Sequence, residues 1–267
     1  MTGGRIHGYK TEAVVLRHFP IGEADRLFVL YTPNMGKVRA VARGVRRPKS
    51  KMSGHLQPLN RVAVSLTEGR DLDIITEAEA IAVYPSIRND LTKLSAAMFL
   101  AELVDGFSEE RSSSPSVYKL LTSALDLAEV TDNPIQLVRY IQTRILQMSG
   151  FGPELRQCVA CDTPLEPQTH LFSSSQGGII CPNCRSESGH TLMPIPLNVL
   201  KVLRFFQQNH AEKALDLQLN AQLLGELERV LDGYTRFLLE RDMKTAEFLD
   251  LVNPHRVKKA FSIADPT

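Results

Sequence analysis

The 267-residue sequence contains no tryptophan, and aromatic residues make up only 6% of it. Aromatic rings are the platforms on which unpaired bases stack, so a protein that reads bases mainly by stacking is disfavoured. No apolar run approaches the roughly 20 residues that a membrane-spanning helix needs. The first residues also lack the apolar core of a secretory signal. Composition therefore predicts a soluble, cytoplasmic protein with no membrane partner.

The common catalytic and nucleotide-binding motifs are missing as well. The sequence has no G-x-x-x-x-G-K-[ST] phosphate loop, no G-x-G-x-x-G turn and no H-E-x-x-H zinc pair. Asp71 and Asp73 alternate along a predicted strand and could begin a two-metal nuclease site. No third carboxylate follows at a recognisable spacing, and a solvated strand face explains the pair better. We therefore expect no catalytic residues, no enzymatic activity and no small-molecule substrate.

Acidic residues are absent from Arg26 to Thr67, a stretch that holds nine lysines and arginines, although the whole chain carries a net charge of only +1. Such a local excess of positive charge indicates a surface for a polyanion. Guanidinium groups match phosphate oxygens in pairs, and lysine adds a mobile charge. A basic loop that serves only solubility is the alternative. The candidate DNA contacts are Arg39, Arg43, Arg46, Arg47, Lys49 and Lys51.

The only aromatic residues in this acid-free stretch are Phe28 and Tyr31. Both lie in predicted strands, where they suit a hydrophobic core as well as a stacking platform. We expect the protein to follow the phosphate backbone rather than to read bases.

Cysteine occurs four times, in two C-x-x-C pairs that are separated by nineteen residues: Cys158, Cys161, Cys181 and Cys184. Two such turns can bring four thiolates to one point, which is the closed tetrahedral site of structural Zn²⁺. Disulfides are disfavoured because no secreted, cysteine-rich pattern surrounds the pairs. A redox C-x-x-C is the other alternative, but neither pair has a βαβ context. We predict one structural zinc ion per chain and interpret His170 and His190 as surface residues.

The hydrophobic periodicity changes once along the chain. Residues 1–84 contain short apolar segments without an intervening helix, which favours a small antiparallel barrel of the OB type. The segments are Ala13–Leu16, Leu27–Tyr31, Lys37–Ala42, Arg61–Leu66, Asp71–Ile75 and Glu77–Val83. From Pro85 onward, helical spacing predicts five helices, around residues 91–104, 117–128, 138–148, 199–206 and 223–237.

The predicted fold class is therefore α+β, with an OB-type β-barrel followed by a helical bundle that carries an inserted four-cysteine zinc element. The domain limits follow the change of period. Residues 1–84 form the nucleic-acid-binding barrel, residues 85–255 form the helical domain, and residues 156–187 form the zinc insert.

Several segments, in order, resemble the RecO family of bacterial DNA repair and recombination mediators. No single motif is decisive, but their order and spacing together are. The segments are Lys10–Leu16, Gly22–Leu27, Gly36–Gly44, Gly54–Pro58, Phe99–Phe107 and Gly150–Leu155. Departures from the family pattern are Leu59, where an aromatic often follows Gln-Pro, and the absence of tryptophan.

The resemblance implies binding of single- and double-stranded DNA, annealing of complementary strands, and a nucleoid-associated location in the cytoplasm. It also implies action on DNA coated by single-stranded DNA-binding protein, and help from RecR in loading the RecA recombinase. Two other classes stay open at this point: a zinc-ribbon scaffold that binds proteins, and a metal-dependent nuclease.

Overall fold

The computed structural model describes residues 8–187 and 192–252. By packing, the chain forms two compact units, residues 1–130 and residues 131–267. None of the helices in the described ranges combines the length and apolar character needed to cross a bilayer.

The first unit begins with a five-stranded barrel, whose strands are β1 (Gly8–Ile21), β2 (Asp25–Thr32), β3 (Gly36–Ala42), β4 (Arg61–Thr67) and β5 (Asp73–Ala82). The strands close in the order β1-β2-β3-β5-β4, with β1 also paired to β4. All pairs are antiparallel except β3 with β5, which is a short parallel pair. This five-stranded closed barrel confirms the predicted OB type.

The barrel core is filled by the alternating inward residues of all five strands, together with Val45 and Leu56 from the β3–β4 connection. Phe28 is fully buried in this core and Tyr31 is 1% exposed. Both aromatic residues of the acid-free stretch are therefore core residues. Neither presents a ring on which a base could stack.

Three helices complete the first unit: α1 (Pro85–Asn89), α2 (Leu91–Phe107) and α3 (Pro115–Val130). Asp90 caps α2 by accepting hydrogen bonds from the backbone N–H groups of Thr92 and Lys93. Near the other end of α2, the buried carboxylate of Asp105 forms ion pairs with Arg17 of β1 at 2.7 Å and with Lys37 of β3 at 3.3 Å. These contacts tie the helices to the barrel. By packing, the first unit consequently extends to Val130.

The second unit is mainly helical. Its helices are α4 (Pro134–Met148), α5 (Leu197–Gln208), α6 (Ala211–Leu215), α7 (Ala221–Leu239) and α8 (Lys244–Val252). Between α4 and α5 lie a sheet of order β7-β6-β8 and a 3-10 helix, Pro182–Glu187. The strands are β6 (His170–Ser173), β7 (Gly178–Ile180) and β8 (Leu192–Ile195).

At the centre of this unit Arg139 is 1% exposed and pairs with Glu228 and Asp232 of α7. The predicted α+β class, with helices after the barrel and a cysteine cluster inserted among them, is confirmed.

Candidate nucleic-acid surface and metal centre

The basic part of the β3–β4 connection is an ordered loop that lies against the turn between β1 and β2. Gly44, with φ of +65°, directs its N–H to the Asp25 carboxylate at 2.7 Å. Two residues later, the backbone N–H of Arg46 donates to the Ala24 carbonyl at 2.9 Å and holds the loop against the same turn. A left-handed backbone suits glycine because other residues strain there. The loop therefore stands on a defined backbone.

Five of the six predicted DNA contacts lie on this loop, and all five side chains are exposed. Arg46 reaches back to the Gly22 carbonyl at 3.1 Å, which fixes its guanidinium beside the β1–β2 turn. In the described parts of the chain, no ion pair is recorded for any of the five. The five residues, called the basic loop below, are Arg43, Arg46, Arg47, Lys49 and Lys51.

Arg39, the sixth predicted contact, lies apart from the basic loop on the outer face of β3. Its guanidinium forms a two-point pair with the Glu110 carboxylate, at 2.7 and 2.9 Å. Hydrogen bonding from Arg39 lowers the pKa of Glu110, and the same bond raises the pKa of Arg39. A phosphate would have to compete with Glu110 for this arginine.

Asp73, the first residue of β5, is fully buried rather than solvated. The Tyr9 hydroxyl donates to its carboxylate at 2.5 Å, and Arg111 donates at 2.6 Å. Burial, followed by the bond to Asp73, raises the pKa of Tyr9. Asp71 lies outside the strand and is exposed. The expectation that this pair lies on a solvated strand face is wrong, because the carboxylate of Asp73 is buried and bonded to Tyr9 and Arg111. The same observation removes the main support for a nuclease.

Glu110 and Arg111 are the residues that the sequence pattern did not reveal. They lie in the loop between α2 and α3, where the N–H of Arg111 donates to the Lys37 carbonyl at 2.8 Å. Glu110 also forms an isolated parallel bridge with Lys37. Their partners are 71 and 38 residues away in the chain, so no local signal marks them.

The four cysteines converge on one point. Their Sγ atoms all lie within 4.8 Å of one another, and Sγ of Cys161 is 3.9 Å from Sγ of Cys181. A tetrahedral zinc site with Zn–S bonds of about 2.3 Å has sulfur atoms about 3.8 Å apart. The cluster can therefore hold a metal ion, and four sulfur ligands would leave no position for a substrate.

Backbone hydrogen bonds shape the two cysteine turns. After Cys158, the N–H of Asp162 donates to the Cys158 carbonyl at 2.8 Å, and Asp162 adopts φ of +57°. The N–H of Cys181 donates to Sγ of Cys158 at 3.3 Å, as suits a thiolate. Hydrogen bonding with the side chain and the backbone of Thr163 lowers the pKa of Cys161 to about 6. Hydrogen bonding with Cys161 and Cys181 raises the pKa of Cys184, so the shifts within the cluster have opposite directions.

The histidine interpretation needs one correction. His170 is 1% exposed, and its Nε2 lies 2.7 Å from the Glu166 carbonyl, so it is a buried residue at the start of β6 and not a surface histidine. It is also no member of the metal-binding group. His190 lies outside the described residues.

Comparison with known proteins gives the same family across nearly the whole chain. The profile "Recombination protein O N terminal" matches residues 6–84, and "Recombination protein O C terminal" matches residues 88–247. A protein of Dehalococcoides mccartyi called "DNA repair protein RecO" is 38% identical over 91% of this chain and 96% of its own length. Proteins of the same name from Roseiflexus sp. and Symbiobacterium thermophilum are 33% and 32% identical. They cover 91% and 93% of this chain, and 85% and 99% of their own lengths.

Proposed function

This chain belongs to the RecO family of DNA repair proteins, and from that premise we propose that it is a non-enzymatic recombination mediator of the cytoplasmic nucleoid. It binds single- and double-stranded DNA and anneals complementary strands. Together with RecR, it assists the loading of RecA onto single-stranded DNA coated by single-stranded DNA-binding protein. The roles of these three partners rest on the family alone.

The observation that supports the DNA role best is the basic loop. Five exposed cations stand together on an ordered backbone, and no carboxylate is paired with them in the described residues. A cluster of unpaired charges is stable only in water or beside an anion, so it favours a polyanionic ligand. Among OB-type barrels, the strand 2–3 face and the β1–β2 and β4–β5 loops are the usual nucleic-acid surfaces, and the basic loop lies against the β1–β2 turn.

The basic loop would act by neutralising phosphates. Each phosphate contact releases condensed counterions, so about five contacts to a single strand would give a salt slope near −3.5. Because Phe28 and Tyr31 are buried, the contact would follow the backbone and leave the bases free. Free bases on a charge-neutralised strand can pair with a complementary strand, which is the chemical requirement of annealing.

We propose that the four cysteines hold one structural Zn²⁺. The ion would supply a rigid cross-link between the two cysteine turns, contributing about 10 kcal/mol or more to local folding. The cysteine side chains supply all four ligands, and the hydrogen bond from the Cys181 N–H to the Cys158 sulfur helps to orient them. Zinc therefore stabilises the element and takes no part in a chemical step.

The test is annealing of complementary oligonucleotides that have been coated with single-stranded DNA-binding protein, followed by loss of donor fluorescence. Wild-type protein should accelerate annealing. The double variant Arg46→Glu/Arg47→Glu should abolish the acceleration and leave thermal unfolding nearly unchanged, because both side chains are exposed and neither contributes to the core. The matched control is Lys119→Glu/Lys213→Glu, two exposed lysines outside the basic loop.

Equal loss of annealing in both double variants would show a dependence on net charge rather than on the basic loop. Wild-type protein that neither binds DNA nor accelerates annealing would contradict the proposal. That result would favour the alternative of a zinc-ribbon scaffold that binds other proteins.

A further inference from the structure

The second unit contains another cationic feature, a hollow of about 350 Å³ beside the cysteine element. Arg156 comes from the segment that enters the first cysteine turn, and Arg204 comes from α5. Leu165 and Gln208 complete the lining. The hollow belongs neither to the barrel nor to the metal-binding group.

Hydrogen bonds to the backbone hold the two sides of the hollow together. Nε of Arg204 donates to the Leu155 carbonyl at 2.7 Å, which leaves the two terminal nitrogens of its guanidinium for other acceptors. The N–H of Leu165 donates to the Arg156 carbonyl at 3.0 Å. One turn along α5 from Arg204, Gln207 donates to the Pro153 carbonyl at 2.9 Å. Hydrogen bonds to the backbone thus fix the side chain of Arg204 and the backbone of Arg156.

The charges around the hollow do not balance. No ion pair is recorded for Arg156 or Arg204 within the described ranges. The carboxylate of Glu154 accepts hydrogen bonds from the backbone N–H groups of Arg156 and Gln157, at 2.6 and 3.3 Å, and forms no recorded ion pair with either arginine in the described residues. Burial lowers the pKa of Arg204, and the charge of Arg156 lowers it further, against the smaller opposing effect of Glu154. An anion in the hollow would relieve this repulsion.

We propose that this hollow binds a phosphate group of the DNA backbone, as a phosphate contact on the helical unit additional to the basic loop. The proposal rests on the proposed function, since DNA is the polyanion that the protein would meet. Two guanidinium groups can share the oxygens of one phosphate. The exposed amide of Gln208 can donate to a further oxygen, and Leu165 offers an apolar surface to a sugar.

The test is binding of a fluorescein-labelled single-stranded oligonucleotide to the full chain, measured by anisotropy between 50 and 200 mM NaCl. Arg156→Gln should weaken binding about threefold at the higher salt and reduce the salt slope by about 0.7, the value of one phosphate contact. No structural hydrogen bond is recorded for the Arg156 side chain in the described residues, so the variant should unfold at the wild-type temperature. Arg156→Lys should restore the slope because the charge returns.

The matched control is Lys119→Gln, which removes one exposed charge from α3 in the other unit. Arg156→Gln that behaves like Lys119→Gln, while wild-type protein binds DNA, would overturn the assignment of the hollow and leave the proposed function intact. Wild-type protein that does not bind DNA at all would overturn both. Unchanged DNA binding combined with lost binding of a labelled hexa-aspartate peptide would also overturn it, and would assign the hollow to an acidic protein segment.

Discussion

The contact between the barrel and the α2–α3 loop predicts an unusually large effect of one methyl group at Gly36. This residue opens β3 with φ of +60°, and a Cβ built on it would lie 1.8 Å from the carbonyl oxygen of Ser112. Gly22, in the β1–β2 turn, has nearly the same φ of +55° but has no atom within 4 Å of such a Cβ. Alanine at the two positions therefore carries the same backbone strain, and only Gly36→Ala adds a steric clash.

The size of the destabilisation depends on the contacts that Arg111 makes in the α2–α3 loop. The left-handed backbone costs about 1–2 kcal/mol in either alanine variant. Relief of the clash requires a shift of more than an ångström, which breaks the 2.8 Å bond from Arg111 N–H to the Lys37 carbonyl and draws Arg111 away from the buried Asp73. A buried charge that loses its partner costs about 3–5 kcal/mol, and roughly half of that applies here because Arg111 is partly exposed. The broken backbone hydrogen bond adds about 0.5–1.5 kcal/mol. We expect Gly36→Ala to destabilise the first unit by about 2–4 kcal/mol more than Gly22→Ala.

Hydrogen exchange followed by mass spectrometry measures this difference without tryptophan fluorescence, which the protein lacks. Peptides from β2, β3 and β5 should lose protection about 30- to 1,000-fold more in Gly36→Ala than in Gly22→Ala, as 2–4 kcal/mol requires. Peptides from the second unit should keep wild-type protection in both variants. Equal loss in the two variants would refute the reasoning, because it would mean that Ser112 does not press on the barrel turn.

Three further predictions concern the charged pairs and the metal. Glu110→Gln should release Arg39 and increase the salt slope of DNA binding by about 0.7, and an unchanged slope would exclude Arg39 as a DNA contact. Arg139→Met should cost about 3–5 kcal/mol in urea unfolding because the buried Glu228 would lose the guanidinium of Arg139, whereas the double variant with Glu228→Met should recover much of the loss. Cys158→Ser should abolish the one equivalent of zinc that a chromophoric chelator releases from the wild-type protein, and retention of a full equivalent would contradict a four-thiolate site.

The strands were predictable from sequence because the barrel buries one face of each strand, and burial of one face imposes a period of two. The one exception among the barrel strands has a physical cause. The predicted segments Asp71–Ile75 and Glu77–Val83 are one strand, β5, in which Ser65 pairs with Glu77 and Leu66 pairs with Ile75. The extra residue, Thr76, is a bulge that moves the inward positions by one and divides the pattern in two.

The long helices were predictable for the same kind of reason, since a buried stripe imposes a period of 3.6. The predicted helices correspond to α2, α3, α4, α5 and α7. Two of the helices that the pattern did not reveal, α1 and α6, have five residues each, which is too short for a repeating stripe. Their positions are set by tertiary contacts, as when Glu129 of α3 accepts hydrogen bonds from the N–H groups of Ser86 and Ile87.

The cysteine cluster was predictable because two C-x-x-C turns have few other uses. The pairing and burial of the charged residues were not predictable. Arg39 and Arg43 look alike in the sequence, yet only Arg39 is paired with Glu110. Asp71 and Asp73 also look alike, yet only Asp73 is buried. The difference in both cases is a partner more than 35 residues away, which a local pattern does not contain.

Pairing, rather than the number of basic residues, therefore decides what each arginine does in this protein. Arg139 faces carboxylates with 1% of its side chain exposed, and removing it would leave a buried charge, so it serves the fold. Arg39 faces a carboxylate in water, where an ion pair is weak enough for a phosphate to displace. Arg46 and Arg156 have no recorded carboxylate partner in the described residues, so an incoming phosphate would meet them without first breaking a pair. Since each unit contains an arginine of the last kind, the charge-neutralising surface proposed for annealing need not be confined to the barrel.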